Sequence, residues 1–433
     1  MKISVILPSL NVRSYIEQCL LSVVNQTLYD IEIICVDAGS TDGTLEIIEK
    51  IAHKDNRIRV LNSTKKSYGY QVNLGIRESS GEYIAVVETD DYIKPQMYEV
   101  LYNKAEEYKL DYVKGGFSQI LYNDSGRVYR IDSYIFSNKD TSLYNRPINI
   151  KENPDIILRD SSIWSGIYKK SFLLENDIWL NESSGASYQD IGFVTQTIML
   201  AKNVLYVDEP FYQYRVNRPG CSTFNMNVLK NCRQEWERLF DNIFVQKKIK
   251  LTNELLKRLQ VTIVGETDKL LDILNYNYMD DYINQNLQPL LDIVYNCCEK
   301  YGFKMLDSIS KMSNSMEDYS KGIRTQKQLC EEKEILLLEQ ARNSSGVSIF
   351  GAGKLGVRAY ELMCKNKIKV FDIYDNSKVG EKFAGLIIKS AIDLKNKKTD
   401  ELIIIANKFS CVEIKNQLIY MGIEPGKIIE FNY

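Results

Sequence analysis

Histidine is almost missing from this chain: His53 is the only one in 433 residues. That scarcity argues against a zinc centre and against a histidine-based catalytic triad. Paired cysteines are missing as well. Nine cysteines are scattered without a CxxC spacing, and only Cys297 and Cys298 adjoin. The pattern fits reduced thiols in a cytoplasm rather than a disulfide framework. Strong net charge is lacking: the formal value is −2 at pH 7, which gives no support to nucleic-acid binding. No window approaches the roughly 18 apolar residues of a membrane span. The opening MKISVILPS has neither a long apolar core nor a small-residue cleavage site, so no signal peptide is expected. What the chain has in quantity is tyrosine, 29 residues, a side chain that suits both sugar-stacking clefts and half-buried core positions.

The most informative stretch is Gly81 to Pro95, GEYIAVVETDDYIKP. Tyr83 to Val87 reads as a short buried strand. It ends in Glu88, Asp90 and Asp91. Like charges this close raise one another's pKa unless a cation compensates them. Glu88 and Asp90 alternate around Thr89, so both can face one side and converge on Mg²⁺ or Mn²⁺. The competing reading is a solvated acidic turn in which Asp91 caps the next helix.

The preceding chain supplies context. Strands are expected at Ile3 to Leu7, Ile31 to Val36 and Arg57 to Leu61, with helices marked by Ile16, Leu20 and Val23 and by Leu45, Ile48 and Ile51. Ser40, Thr41 and Asp42 are N-cap types before the second helix. Tyr68 to Ile76 reads as a loop running into a short helix. Helix and strand alternate four times, which predicts an α/β unit with a largely parallel sheet. Asn11, Asp37 and the acid cluster all fall at strand C-terminal ends, where such sheets bind ligands.

Residues 225–342 are rich in Lys, Glu and Leu and read as helical. Within them, Ile243 to Leu259 carries Lys247, Lys248, Lys250, Lys257 and Arg258 among apolar residues: a solvated helix face, or a contact with an anionic membrane surface. From 343 to 433 the α/β pattern restarts. Gly351-Ala352-Gly353-Lys354-Leu355-Gly356 follows a strand and opens a helix, and Asp375 ends the next strand. Gly351, Gly353, Gly356 and Asp375 therefore form a candidate second nucleotide site. The alternative is a half-sized module used for packing or homo-oligomerisation.

Taken in order, VILPSLN, VDAGSTDGT, NLGI, GEYIAVVETDDYIKP, YQDIGF and YQYR resemble the family 2 glycosyltransferases. The resemblance covers about the first half of the chain. It implies a GT-A nucleotide-diphospho-sugar transferase fold over residues 1–224, here followed by the helical region 225–342 and the small Rossmann-like α/β domain 343–433. It also implies a nucleotide-sugar donor such as a UDP-sugar, a divalent metal (Mn or Mg), inversion at the anomeric carbon, and a polysaccharide, capsule or glycolipid acceptor on the cytoplasmic side of the membrane. Carried over by motif, Pro8, Ser9, Asn11, Asp37 and Asn73 match the nucleoside-binding set, with Thr89 between the acids. Glu88 and Asp90 stand where the family has its DxD, with Asp90 as the metal ligand. Asp190 matches the catalytic base, and Arg215 would neutralise the leaving diphosphate. Two departures stand out: the first acid is Glu88, and Gln71-Val72-Asn73 replaces the family's ARN. A nucleotidyltransferase would want a glycine-rich loop after the first strand, and PSLNVRS has no glycine. A sugar-nucleotide sensor or scaffold without catalysis is the reading from another class.

Overall fold

The computed structural model describes residues 1–122, 128–136, 141–216, 227–246, 250–276, 281–396 and 401–433. They divide into two compact units: Met1–Gln119 with Asp132–Ser320, and Ile120–Ile131 with Lys321–Tyr433. The division differs from the three parts expected from sequence, because the helices beyond residue 225 group with the first unit as far as Ser320.

The first unit opens with β1 (Ile3–Ser9), α1 (Arg13–Val24), β2 (Ile31–Asp37), α2 (Thr44–Ala52), β3 (Ile58–Asn62), α3 (Tyr68–Glu78) and β4 (Tyr83–Val86). Then come β5 (Tyr92–Ile93), α4 (Met97–Tyr108), β6 (Tyr112–Tyr122), β7 (Val128–Ser133), β8 (Ile148–Asn149) and α5 (Ile156–Arg159), the described residues of Ile120–Ile131 counting with the second unit. They are followed by β9 (Gly166–Lys169), α6 (Lys170–Glu175), α7 (Gln189–Leu200) and β10 (Asn203–Val216). Among the described residues the main sheet runs β3-β2-β1-β4-β9-β6-β10-β5, with β7 on β6 and β8 on β10. β1, β2, β3 and β4 are mutually parallel where they pair; β9 is antiparallel to β4 and to β6. β1 and β2 are mostly apolar and buried along their whole length, as strands covered on both faces must be. Their register pairs Ser9 with Asp37, so both side chains reach the same rim. The strand order reverses between β1 and β4, which opens a crevice at the carboxyl ends of those two strands.

Two local expectations are corrected. Tyr68 to Glu78 is helical from its first residue, capped by Ser67, whose Oγ accepts from Tyr70 N–H at 3.2 Å. The helix is stable despite its polar residues because Gln71 and Asn73 are buried and hydrogen-bonded. At α2 the N-cap is Gly43, with φ 96°, and not one of Ser40, Thr41 or Asp42. Asp42 instead turns the chain by accepting from Thr44 N–H and Oγ1.

The first unit continues through α8 (Val228–Phe240), α9 (Asn253–Ile273), α10 (Asp281–Tyr301) and α11 (Asp307–Asn314), and α12 (Met316–Arg342) begins in it. Among the described residues no helix is long and apolar enough to cross a membrane. Lys247 and Lys248 of the basic stretch lie outside the described residues. Lys250 and Lys257 are exposed, but Arg258 is buried on α9 and donates to the carbonyls of Ile157 and Asp160. Arg258 is thus no part of a basic surface.

The second unit contains β11 (Val347–Phe350), α13 (Lys354–Lys365), β12 (Val370–Tyr374), a ribbon of β13 (Lys382–Phe383) and β14 (Leu386–Ile387), β15 (Leu402–Ile405), α14 (Cys411–Tyr420) and β16 (Ile428–Glu430). Its sheet is parallel in the order β12-β11-β15-β16. Val347, Ile349, Ile373 and Ile404 pack with Tyr129, Leu337 and Phe431 in its core.

One buried ion pair braces the middle of the first unit. Lys114 Nζ lies 2.7 Å from Asp160 Oδ2, and both side chains are fully buried. Tyr206 also donates to Asp160, and Lys114 to Ser162 O. Burial pulls the Lys114 pKa down and the Asp160 charge partly restores it. Lys114→Met should therefore destabilise the first unit by about 3–5 kcal/mol, the cost of leaving one member of a buried pair uncompensated. Urea denaturation measures it; a loss below about 1 kcal/mol would mean that Asp160 is satisfied without the lysine.

Candidate active site

The acid cluster sits at the end of β4, on the rim expected from sequence. Its three members have different surroundings. Asp91 is fully buried: Tyr212 donates to its Oδ2 at 3.0 Å and the Arg215 N–H to its Oδ1 at 2.7 Å. Burial pushes the Asp91 carboxyl well above its ordinary value and the charges of Asp90 and Glu88 push it further, while the two hydrogen bonds pull it back. It is neither solvated nor a helix cap, since α4 begins at Met97 behind Gln96. Glu88 and Asp90 are partly exposed. Tyr68 donates to Glu88 Oε1 at 2.5 Å, and the Glu88 N–H donates to Tyr212 Oη at 3.1 Å. Thr89 is buried between them and donates to Pro8 O at 2.8 Å, across the crevice between β1 and β4.

β10 holds this rim in place. Besides Tyr212, it delivers Arg215, which is buried. The guanidinium donates to Asp90 O and, at 2.5 Å, to Gln18 Oε1, and it stands over the rings of Tyr15 and Tyr92. The structure thus places Arg215 against the main chain of the acid motif. Trp164 stacks on Tyr212 at 4.2 Å between ring centroids and on Tyr214 at 5.4 Å, forming an aromatic wall behind the same strand.

The residues matched to nucleoside binding gather at the ends of β1 and β2. Asp37 is buried; its Oδ2 accepts from the N–H groups of Gly39 and Ser40, and its Oδ1 from Ser40 Oγ. Asn11, in the left-handed region with φ 53°, accepts from Thr41 N–H through its side chain, while its own N–H donates to Ser40 Oγ. Ser9 O and Val36 O both accept from the Gln71 amide, at 2.9 and 2.7 Å. Gln71 therefore stitches the two strand ends together from the position where the family's ARN begins. Asn73 is placed elsewhere: its amide exchanges hydrogen bonds with the Leu180 main chain and reaches Glu182, clamping the segment that leads toward α7.

That segment carries Asp190. Its loop is closed by the buried Gln189 side chain, which donates to Ser183 Oγ and Gly185 O and accepts from Ser187 N–H. Tyr188 precedes the helix with φ 71°, so Asp190 lies in the first turn and does not cap it. A helix N-terminus alone predicts a stabilised carboxylate. The net direction is the opposite: burial raises the Asp190 pKa, opposed by the Ile191 N–H, its own N–H and Arg258. Tyr68, Tyr168 and Tyr188 lie near enough for the Asp190 charge to raise their phenols. The sequence gives Tyr68 and Glu235 no role, and it shows Tyr212, Gln71 and Arg258 only as part of YQYR, as a departure from ARN and within a basic stretch. Arg258 had a signal, since it follows Leu255 by three residues on the buried side of α9.

In the second unit, Gly351 has φ 120°, and a Cβ there would stand 2.5 Å from Ala406 O; one on Gly356 would stand 2.0 Å from Gly351 O. Close backbone packing accounts for both glycines. Gly353 faces open space. Asp375 accepts from the Ala352 and Ser377 N–H groups, bracing the glycine loop.

Residues 4–169 match the model of glycosyl transferase family 2, and residues 343–429 match a model described as C2185-like, N-terminal. Glycosyltransferase GlyG of Streptococcus pneumoniae serotype 4 is 30% identical over 221 residues, 49% of this chain and 70% of GlyG. A poly(ribitol-phosphate) beta-glucosyltransferase of Bacillus spizizenii is 33% identical over 229 residues, 51% of this chain but 33% of that protein. The crystal structure of S. aureus TarS residues 1–349 in complex with UDP-GlcNAc is 21% identical, with a TM-score of 0.46, and covers 71% of this chain and 95% of that one. The sheet and its acid-tipped central strand define a nucleotide-diphospho-sugar transferase fold of the GT-A type. The chain belongs to glycosyl transferase family 2.

Behind α7, Glu235 of α8 is buried with its Oε2 accepting from Asn181 at 2.9 Å, and its Oε1 stands 3.6 Å from Arg238. Burial pushes the carboxyl up to about 7, against the pull of Arg238 and Asn181. The folded protein then binds this proton more tightly than the unfolded chain. Stability from this group is fully present below about pH 4.5 and is lost as pH rises toward about 7. Glu235→Gln should remove that dependence: relative to wild type, it should gain about 3 kcal/mol between pH 4.5 and pH 8. Urea melts at both pH values test it, and a difference that stays constant would refute the shift.

Proposed function

We propose that this chain is an inverting, metal-dependent glycosyltransferase that moves a sugar from a UDP-sugar to a hydroxyl of a polysaccharide, capsule or glycolipid acceptor. The observation that carries the reading is the rim itself. Ser9 and Asp37 at the ends of β1 and β2, and Glu88 and Asp90 at the end of β4, flank one crevice, with the Asp190 loop docked beside it through Tyr68. The match to a relative named as a poly(ribitol-phosphate) beta-glucosyltransferase supports a polymer acceptor.

The donor set suits a hard divalent cation. Glu88 and Asp90 are oxygen donors at the crevice, and their charges push Asp91 up. Among the described residues no three His, Cys, Asp or Glu side chains could hold a metal by themselves, so the diphosphate would complete the coordination. When bound, the cation offsets charge on the leaving diphosphate. Asp90 and Glu88 would hold it. The Asp37 carboxylate, fixed by three donors in its own loop, keeps acceptor capacity for the uracil imide N–H. The acceptor hydroxyl attacks the anomeric carbon from the face opposite the diphosphate. As the new C–O bond forms and the bond to phosphate oxygen breaks, Asp190 takes the hydroxyl proton. Its raised pKa makes it a stronger base than an exposed aspartate.

Two substitutions separate holding the donor from reacting it. Asp90→Asn should abolish Mn²⁺-dependent UDP binding and nearly all transfer without unfolding the protein. Wild-type UDP affinity in Mn²⁺ would reduce the acid cluster to a turn. Asp190→Asn should lower kcat by about 10²- to 10⁴-fold while the donor Kd barely changes. Its acid limb of kcat against pH should also vanish, since protonation of Asp190 is what slows the wild type as pH falls. A rate within about threefold of wild type would move the base to another residue.

A further inference from the structure

The link between the two halves of this site is a tyrosine that no motif points to. Tyr68 is the first residue of α3, and its ring is buried. Its hydroxyl donates to Glu88 Oε1 at 2.5 Å. Its N–H donates to Gly185 O at 2.9 Å, and Gly185 N–H returns a bond of 2.9 Å to Lys66 O, so Ser67 and Gly185 pair as in a parallel bridge. Gly185 belongs to the loop that Gln189 closes and that ends in Asp190. One residue therefore grips the first acid of the donor motif with its side chain and the loop of the base with its main chain.

We propose that Tyr68 is a positioning residue that holds Glu88 in its working rotamer and ties it in register to the loop carrying Asp190. This rests on the functional reading above and deepens it. The chemistry explains why a tyrosine is used. Glu88 stands where the resemblance leads one to expect the shorter aspartate, and the extra methylene adds a rotatable bond that must be frozen for the carboxylate to point one way. A buried hydroxyl freezes it without cancelling its charge, as a lysine would. Burial and the Glu88 charge hold the phenol well above its ordinary pKa, so it stays a donor at working pH. The Glu88 N–H is fixed from the other side by Tyr212, so both ends of this residue are pinned by phenols.

The test is a double-mutant cycle in the full chain. Tyr68→Phe keeps the ring and the main-chain bond to Gly185, so it reads the hydroxyl alone. Release of UDP from a panel of UDP-sugars gives kcat and KM, and titration of UDP in the presence of Mn²⁺ gives product affinity. Tyr68→Phe should melt like wild type yet lose about 10- to 100-fold in kcat/KM, the range for a lost hydrogen bond to a charged group. Glu88→Asp, whose carboxylate is too short for the phenol, should show a comparable loss. Adding Tyr68→Phe to Glu88→Asp should cost almost nothing more, because the hydroxyl then has nothing to hold. Additive losses, or a Tyr68→Phe enzyme within about threefold of wild type, would overturn the proposal. If Tyr68→Phe fails to fold, Glu88→Asp alone decides: full activity there overturns the need for the contact. A wild-type chain that neither binds UDP with Mn²⁺ nor releases it from any UDP-sugar overturns the functional reading and this inference together. A silent Tyr68→Phe in an active enzyme overturns this inference alone.

Discussion

Everything around the site follows from one electrostatic difficulty: a buried strand ends in carboxylates packed against one another. β4 is covered on both faces, so its end is poorly hydrated, and each added negative charge raises the cost of the next. The fold meets this by giving the acids unequal surroundings. Asp91 is taken inside and held by Tyr212 and the Arg215 N–H. Glu88 and Asp90 stay at the crevice. β10 is long because it must do both jobs of pairing in the sheet and reaching this rim; Tyr212 and Arg215 are its contribution to the acids. The Arg215 guanidinium adds a positive charge against the Asp90 main chain.

Legibility in the sequence follows from how each feature is made. β4 is a continuous apolar run, β1 and β2 are interrupted only by Ser4 and Glu32 before their ends, and a run buried on both faces announces itself. The rim residues Asp37, Glu88 and Asp90 were equally legible, because polar groups that end such runs have to lie at a sheet edge. The sequence shows α3 only as a loop running into a short helix, because its glycines and amides look unlike a helix core. Its stability comes from partners distant in sequence: Gln71 with Ser9 and Val36, Asn73 with Leu180. Periodicity cannot show such contacts. Arg258 was hidden among lysines, and composition cannot separate a buried guanidinium that meets two carbonyls from a solvated one. The glycines of GAGKLG were visible, but the contacts that require two of them, at Ala406 O and Gly351 O, are tertiary.

The surroundings of Asp190 show two effects of opposite sign, and magnitude decides between them. A place in the first turn of α7 lowers a carboxylate's pKa, and helix-end effects are worth about 0.3–1 kcal/mol. Loss of hydration on burial can move a carboxyl by several units, each unit about 1.4 kcal/mol. Burial therefore sets the direction, and the first-turn N–H groups and Arg258 limit how far it goes. Arg258 comes from α9, beyond the stretch that matches the family 2 model. The helices after β10 are accordingly a functional part of the first unit, since they fix the charge environment of the proposed base. Glu235 on α8 works in the opposite sense: it and Asp190 each disfavour the other's ionisation.

The composition now has a structural meaning. With one histidine in the chain, the proposed proton transfer falls to a carboxylate, and carboxylates crowded in a cleft need hydrogen-bond donors that do not neutralise them. Lysine and arginine bring a charge with the donor. Tyrosine brings a single O–H on a rigid ring, with little side-chain entropy to lose on ordering. At this site tyrosines take that part: Tyr68 on Glu88 and Tyr212 on Asp91. Burial keeps both phenols far above their ordinary pKa, so each remains a hydrogen-bond donor. The phenols that orient the acids thus stay protonated well beyond the range in which an ordinary carboxylate titrates. That separation lets the geometry of the site persist when its charge changes.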